Sequence, residues 1–317
     1  MANYDGPISL VTLHKVMFLF QKASDKRHYS FIPNKFGCYS LTLHDDQVAL
    51  IKKKFLIEEK GNSPFESNIS INRSLLDTVS IPLKKEDSRI LDKVILAYQM
   101  KTEQELIDLT YRMEPIYGIR SMILDRFPPD DPFLVTVASI KEEIAQTPRA
   151  LYTIGYEGLS IDGFIQELLV RNITCLVDVR KNAFSMRREF CKKNLEEALG
   201  EAGIRYISMP DVGIPSNNRK ELLHAGKKIE LFAWYQKKIL PKCTTHSDEI
   251  ADLLRAENVV LMCYEKNPAD CHRSLFAAFC KEQQPSIPSI LHIRGDSGEE
   301  KNLDNRSYLS NAFSQIH

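Results

Sequence analysis

Cys263, Glu265, Cys271, His272 and Arg273 place two thiols, a carboxylate, an imidazole and a guanidinium in one short stretch of the chain. An apolar run, Val259-Val260-Leu261-Met262, leads into them, and a new apolar pattern with Leu275, Phe276 and Phe279 leads away. That grammar reads as buried strand, polar loop and helix. It recurs in Leu176-Val177-Asp178-Val179-Arg180 and in Tyr152-Thr153-Ile154-Gly155-Tyr156-Glu157. In an open parallel sheet the loops at the carboxyl ends of the strands gather along one rim. The three stretches are therefore expected to meet there.

The residue types define what such a meeting could do. Asp178 and Glu265 are candidate general acid and base, or carboxylates that steady a cationic transition state. Arg180 and Arg273 can present forked donors to a phosphate or carboxylate, or can pair with Asp178 and Glu265 instead. Cys271 and His272, at the start of a helix and beside Arg273, form a candidate activated thiol. Cys263, at a strand end, is a candidate contact or a small buried hydrophobe. Residues 180–193 form a basic segment with interleaved aromatic groups. From it Phe184, Arg187 and Arg188 join Tyr156 and Glu157 as candidate ligand contacts, because cations among stacking rings suit single-stranded or flipped nucleotides. A solvated loop is the competing reading. Cys243 and His246 add further donors, but no pair has Cys-x-x-Cys spacing, so no metal site is expected and no cofactor is assigned. Gly155-x-x-Gly158 falls short of a dinucleotide fingerprint, and neither a Lys-Ser/Thr phosphate loop nor a Gly-x-Ser-x-Gly elbow occurs. Dehydrogenase, P-loop NTPase and α/β-hydrolase chemistries are disfavoured.

At 317 residues the expectation is two domains, each long enough to bury a core. Lys plus Arg and Asp plus Glu both number 42, so bulk charge makes neither half a basic nucleic-acid module and any electrostatic footprint must be local. Seven cysteines at irregular spacings, with no secretory leader ahead of Ile8, argue for reduced thiols and a cytoplasmic location. No apolar run approaches a membrane span.

The elements that would position the site lie in residues 148–317. Strands are expected at 152–155, 173–179, 204–209, 259–263 and 290–293, with helices between them. Ser160, Asn194 and Ser247 are expected N-caps, and Gly203 a helix-ending C′ residue. Alternation of this kind implies a three-layer, Rossmann-like parallel sheet covered on both faces. Residues 1–147 read differently. Leu10, Leu13, Met17 and Phe20 define a first amphipathic helix, with His14 and Lys15 flanking its core face. A second helix carries Leu41, Val48, Ile51 and Phe55. Phe55-Leu56-Ile57 and Ile69-Ser70-Ile71, separated by Gly61, Asn62 and Pro64, form a two-stranded wing. Thr102 and Glu105 make a capping box. Together these suggest a mainly helical, winged-helix-like domain in which Lys52, Lys53 and Lys54 are either a nucleic-acid contact or a solvated helix face. The tail after Gly295 is expected to be a loose end.

Two resemblances add to this reading. Lys35, Phe36, Gly37, Tyr39 and Ser40 resemble the motif of the Panacea antitoxin-like domain, with Asn34 where its first aromatic would stand. Thr153-Ile154-Gly155-Tyr156, Asp178-Val179-Arg180, the segment 184–190, Gly203-Ile204-Arg205-Tyr206, Pro210-x-x-Gly213, Cys263-x-Glu265 and Cys271-His272-Arg273 resemble domain-of-unknown-function family 488 across residues 150–295. That resemblance implies an α/β domain with a shared polar site and no particular reaction. Tyr156 departs from it, standing where many relatives carry His. The expected function is a hydrolase or transferase acting on a nucleotide or nucleic-acid base at an N-glycosidic or phosphoester bond. The alternatives are a thiol-dependent, sulfurtransferase-like enzyme, and a non-enzymatic regulator whose first domain binds DNA or a protein partner such as a toxin and whose second domain senses a nucleotide. By analogy with antitoxins, the pairing of domains points to phage defence or toxin control.

Overall fold

Ala150–Gly155 and Asn258–Cys263 are buried at every position, the pattern of strands covered on both faces. A computed structural model describes residues 6–61, 67–76, 83–218 and 227–295. The chain divides between Lys141 and Glu142 into two units.

In the first unit, α1 (Leu10–Ser24) starts at Ser9, whose Oγ accepts the Thr12 amide hydrogen. Strands β2 (Ile32–Asn34) and β3 (Gly37–Tyr39) form a hairpin that turns at Gly37, where φ is +94°. Ser40 caps α2 (Leu41–Lys52). That helix ends before Phe55, because Lys54 turns into the left-handed region at φ +63°. β4 (Leu56–Glu59) and β5 (Asn68–Ile71) pair antiparallel as the expected wing, and β1 (Ile8–Ser9) adds a third strand on the far side of β5. Asn62 and Pro64 lie outside the described residues. Helices α3 (Arg73–Leu76), α4 (Lys85–Tyr98), α5 (Glu103–Met113) and α6 (Pro132–Ala145) follow, the last running across the division between the units. The Thr102–Glu105 capping box is formed in both directions. Phe18, Leu19, Leu91, Val94 and Leu106 make one core, and Ile107, Tyr111, Phe127, Phe133 and Val137 a second. The unit is mainly helical with two small antiparallel sheets.

One expectation here is corrected. His14 and Lys15 do not flank the core face of α1: each is only 2 % exposed. His14 stacks on Tyr39 with ring centroids 4.4 Å apart and accepts the Ser40 amide hydrogen at Nδ1. Lys15 donates from Nζ to the Cys38 carbonyl at 2.7 Å. Hairpin β2–β3 covers this flank of the helix, and helical periodicity carries no sign of a hairpin that folds back from later in the chain.

The second unit runs β6 (Ala150–Gly155), α7 (Ile161–Leu169), β7 (Ile173–Asp178), α8 (Lys192–Glu201), β8 (Arg205–Ser208), α9 (Lys228–Lys238), α10 (Thr244–Ala256), β9 (Asn258–Cys263), α11 (His272–Gln283) and β10 (Ser289–Ile293). The strands form one parallel sheet in the order β10-β6-β9-β7-β8, flanked by helices. β9 lies between β6 and β7, so the loop from Cys263 to Arg273 runs between those carrying Tyr156 and Arg180. Ser160 caps α7 as expected. Gly203, at φ +67°, closes α8 with amide bonds from Gly203 to Gly200 O and from Ile204 to Leu199 O, the paired closure of a Schellman motif. Two caps are corrected. Cys191 precedes α8, while Asn194 lies inside it and its side chain donates back to the Arg188 carbonyl. Ser247 lies inside α10, with its hydroxyl near the Cys280 carbonyl at 3.5 Å. The tail beyond Gly295 lies outside the described residues.

Candidate functional site at the carboxyl rim of the sheet

The hydrogen-bond ladder continues past the strand ends. Tyr156 donates its amide to Cys263 O, Glu157 to Tyr264 O, Val179 to Met262 O and Met209 to Asp178 O. Four strand ends are thus held in register on one rim. Two glycines permit the loops to cross there. A Cβ on Gly155 would sit 1.8 Å from Glu265 O, and one on Gly213 would sit 2.1 Å from Lys181 N. Both places require that no side chain intervene.

On the β7 side, Asp178 and Arg180 form a buried pair. Arg180 donates from Nε at 2.8 Å to Oδ1 and from Nη2 at 2.6 Å to Oδ2, and its backbone amide also donates to Oδ1 at 3.0 Å. Tyr206 OH adds a fourth donor at 2.7 Å. Burial opposes the Arg180 charge, but the hydrogen bonds and charge of Asp178 outweigh it and raise the pKa. The phenol of Tyr206 is likewise raised, by burial and then by Asp178. Arg180 reaches on to Tyr156 OH at 3.1 Å and lies against that ring. Of the two readings of Arg180, the ion pair with Asp178 is what the geometry displays. Nothing in the local sequence marks Tyr206 as a partner of Asp178. It is diagonal to Asp178 on neighbouring strands, since Tyr206 pairs with Leu176 and Ser208 with Asp178, and cross-strand diagonals on one face touch.

Tyr156 roots the basic segment at both ends. Arg180 holds its hydroxyl, and Phe190 stacks on its ring at 4.3 Å and 12°. The Lys192 amide bonds Ala183 O at 2.9 Å and closes the loop. Arg187 lies over Phe190, pairs with Glu189 and donates to Leu159 O, so it holds the loop's base. Arg188 is exposed, as are Phe184 at 72 % and Met186 at 94 %. Tyr264, 42 % exposed, meets Tyr156 edge-on.

On the β9 side, Arg273 is fully buried and donates to Glu265 O at 2.5 Å, Lys266 O at 3.1 Å and Thr153 Oγ1 at 3.4 Å. Glu157 accepts the Lys266 amide at 2.8 Å. These two side chains pin the loop after β9. Its remaining groups form a cluster in which Cys263, Cys271 and His272 bring their Sγ, Sγ and Nδ1 atoms within 4.8 Å of one another, all buried. His272 Nε2 lies 2.9 Å from Val179 O, a contact that places the ring proton on Nε2 and leaves Nδ1 facing the sulfurs at 3.8 and 4.0 Å. Cys263 Sγ lies 3.4 Å from Glu265 Oε2, and Glu265 is half-buried. Cys271 stands at the N-cap of α11. Burial resists its ionisation, but the Cys263 thiol, the His272 imidazole and the Arg273 charge hold its pKa well below that of an ordinary thiol. The Cys263 pKa is driven up by its bond to Cys271 and by burial. Spacing gave no hint of this cluster, because its donors come from a strand end and a helix start brought together by the intervening loop. Cys243 and His246 are not part of it.

The sheet topology and this rim define an α/β domain whose polar groups converge from four parallel strands. Residues 160–280 match the family model described as Domain of unknown function DUF488, in line with the resemblance read from the motifs. No curated protein matches the chain, and no solved structure does.

Proposed function

We propose that the carboxyl rim of the second unit acts on a nucleotide or a nucleic-acid base as a hydrolase or transferase. The observation that carries this reading is the loop between Arg180 and Phe190: both ends rest on Tyr156, while Phe184 and Met186 project into solvent beside Arg188. Large apolar groups exposed among cations suit stacked bases and their phosphates. In the loop after β9, Glu265 is a half-buried carboxylate beside Cys263, and it is the group assigned acid/base work in this reading. Asp178, engaged by Arg180 and Tyr206, anchors the site. The cation that meets phosphate is Arg188 rather than Arg180 or Arg273, whose donors are directed at protein groups.

Thermal unfolding across nucleotides, nucleosides and short single- and double-stranded oligonucleotides tests the reading, because a ligand of the native state raises the melting temperature. For a single-stranded oligonucleotide that binds, Phe184→Ala is expected to weaken affinity by ~1–3 kcal/mol, as loss of a stacking ring does. Arg188→Ala should flatten the dependence of affinity on salt. Glu265→Gln should bind with affinity unchanged and lose turnover. No shift with any ligand, or an unchanged affinity in Phe184→Ala, rejects the proposal.

The lowered pKa of Cys271 at a helix start favours thiol chemistry as a second reading. Activity lost in Cys271→Ser and kept in Glu265→Gln would select it.

A further inference from the structure

The cluster of Cys263, Cys271 and His272 has a shape that nucleotide binding at the rim does not require. Its three donor atoms converge on one point from different elements: Cys263 from the end of β9, Cys271 from the N-cap of α11 and His272 from its first residue. All three are buried. The imidazole is oriented by its Nε2 contact to Val179 O, the arrangement that metal-ligating histidines use to aim the other nitrogen. A zinc ion held tetrahedrally at ~2.3 Å from sulfur and ~2.0 Å from nitrogen sets those donors about 3.6 Å apart. Nδ1 lies 3.8 and 4.0 Å from the two sulfurs, so these two distances need contract by only a few tenths of an ångström, and all three donors already lie within 4.8 Å of one another. Glu265 Oε2, 3.4 Å from Cys263 Sγ, adjoins the group with an oxygen donor.

We propose that Cys263, Cys271 and His272 bind one divalent ion of the zinc class, with Glu265 beside its fourth coordination position. Two thiolates and an imidazole select zinc, or cobalt as its spectroscopic substitute, over magnesium and calcium, which take oxygen ligands. The strand end and the helix start are already fixed by Arg273 and Glu157 through the loop between them. The ion would therefore enter a largely formed site. Metal binding is measured without reference to what binds at the rim, although it engages Cys271 and adjoins Glu265, to which the functional readings assign chemistry.

The test uses the full-length, untagged protein, reduced and stripped with a chelator. Cobalt(II) is titrated under anaerobic conditions, followed by zinc(II), and the metal content of the gel-filtered protein is measured by plasma mass spectrometry. The expected result is one ion per chain, with thiolate-to-cobalt charge transfer and the strong visible bands of a tetrahedral site, both displaced by zinc. Cys263→Ser and His272→Gln should each weaken binding at least tenfold. Cys280→Ala, which removes a buried thiol outside the cluster, should bind as the parent does. Circular dichroism establishes that each variant is folded. Should Cys263→Ser fail to fold, His272→Gln alone decides. The proposal is overturned if the folded, reduced parent retains less than one tenth of an ion per chain. A weak octahedral cobalt spectrum overturns it too, as does a charge-transfer band that persists in folded His272→Gln at unchanged affinity.

Discussion

Asp178 accepts donors at both oxygens from one guanidinium and one phenol while fully buried. Its role follows from what removal would leave behind. Asp178→Asn strips the charge that compensates Arg180, and a buried cation without its partner costs ~3–5 kcal/mol. Tyr206→Phe removes one hydrogen bond to a charged acceptor, a loss of ~1.5–3 kcal/mol. Urea unfolding of both variants should therefore rank Asp178→Asn as the more damaging. The reverse order, or a loss below ~1 kcal/mol in Asp178→Asn, would mean that Arg180 finds other partners. The pair is one of the two readings that the sequence supports for Arg180. Tyr206, by contrast, had no role until the register of β7 and β8 set it diagonal to Asp178.

Among the elements, the end of β6 meets the loop after β9, and the loop after β8 meets the loop after β7, at contact distances that Gly155 and Gly213 permit. Gly155→Ala would drive a methyl group into the Glu265 carbonyl and displace the loop that carries Glu265. Overpacking against backbone costs ~1–3 kcal/mol. Gly200 makes a useful contrast: it lies inside α8, and a Cβ there would meet nothing within 4 Å. Gly200→Ala is expected to stabilise by up to ~1 kcal/mol, because alanine is the better helix former. Melting temperatures of the two variants should move in opposite directions. Equal shifts would show that the crossing at Gly155 relaxes without cost. Both glycines stand in the sequence as single letters, and only the crossing backbone distinguishes them.

In the whole molecule, the two units have separate cores, so their responses to acid can differ. His14 is held neutral in the first unit. Burial comes first, then the charges of Lys15 and His44, and the pKa falls from 6.5 to about 3. A protonated ring would also turn an N–H toward the Ser40 amide that Nδ1 now accepts. The folded pKa is depressed, so its contribution is complete above pH 6.5 and is lost as the unfolded chain takes up the proton, progressively from pH 6.5 toward 3. By about pH 5 the loss amounts to ~2 kcal/mol. Calorimetry between about pH 7 and 5 should resolve a transition of the first unit that moves down with pH, and His14→Gln should remove most of that slope. Equal slopes in parent and variant would exclude His14 as the sensor. No helix is long and apolar enough to cross a membrane among the described residues.

Periodicity and local chemistry determined much of this protein from sequence alone. Apolar runs with strand-like bounds and amphipathic helices between them specify an alternating α/β domain after a mainly helical one. Ser160, Gly203 and the Thr102–Glu105 box act within one turn of helix, so neighbouring letters suffice to read them. The rim, too, was legible in outline, because parallel strands must deliver their carboxyl ends to one edge. What only the tertiary structure decided depends on residues far apart in the chain. The strand order places β9 between β6 and β7, and hairpin β2–β3 buries His14 and Lys15. The backbone contact from His272 to Val179 aims one ring nitrogen at two sulfurs. Such contacts depend on which elements become neighbours, and that is settled by packing the whole core rather than by any local pattern.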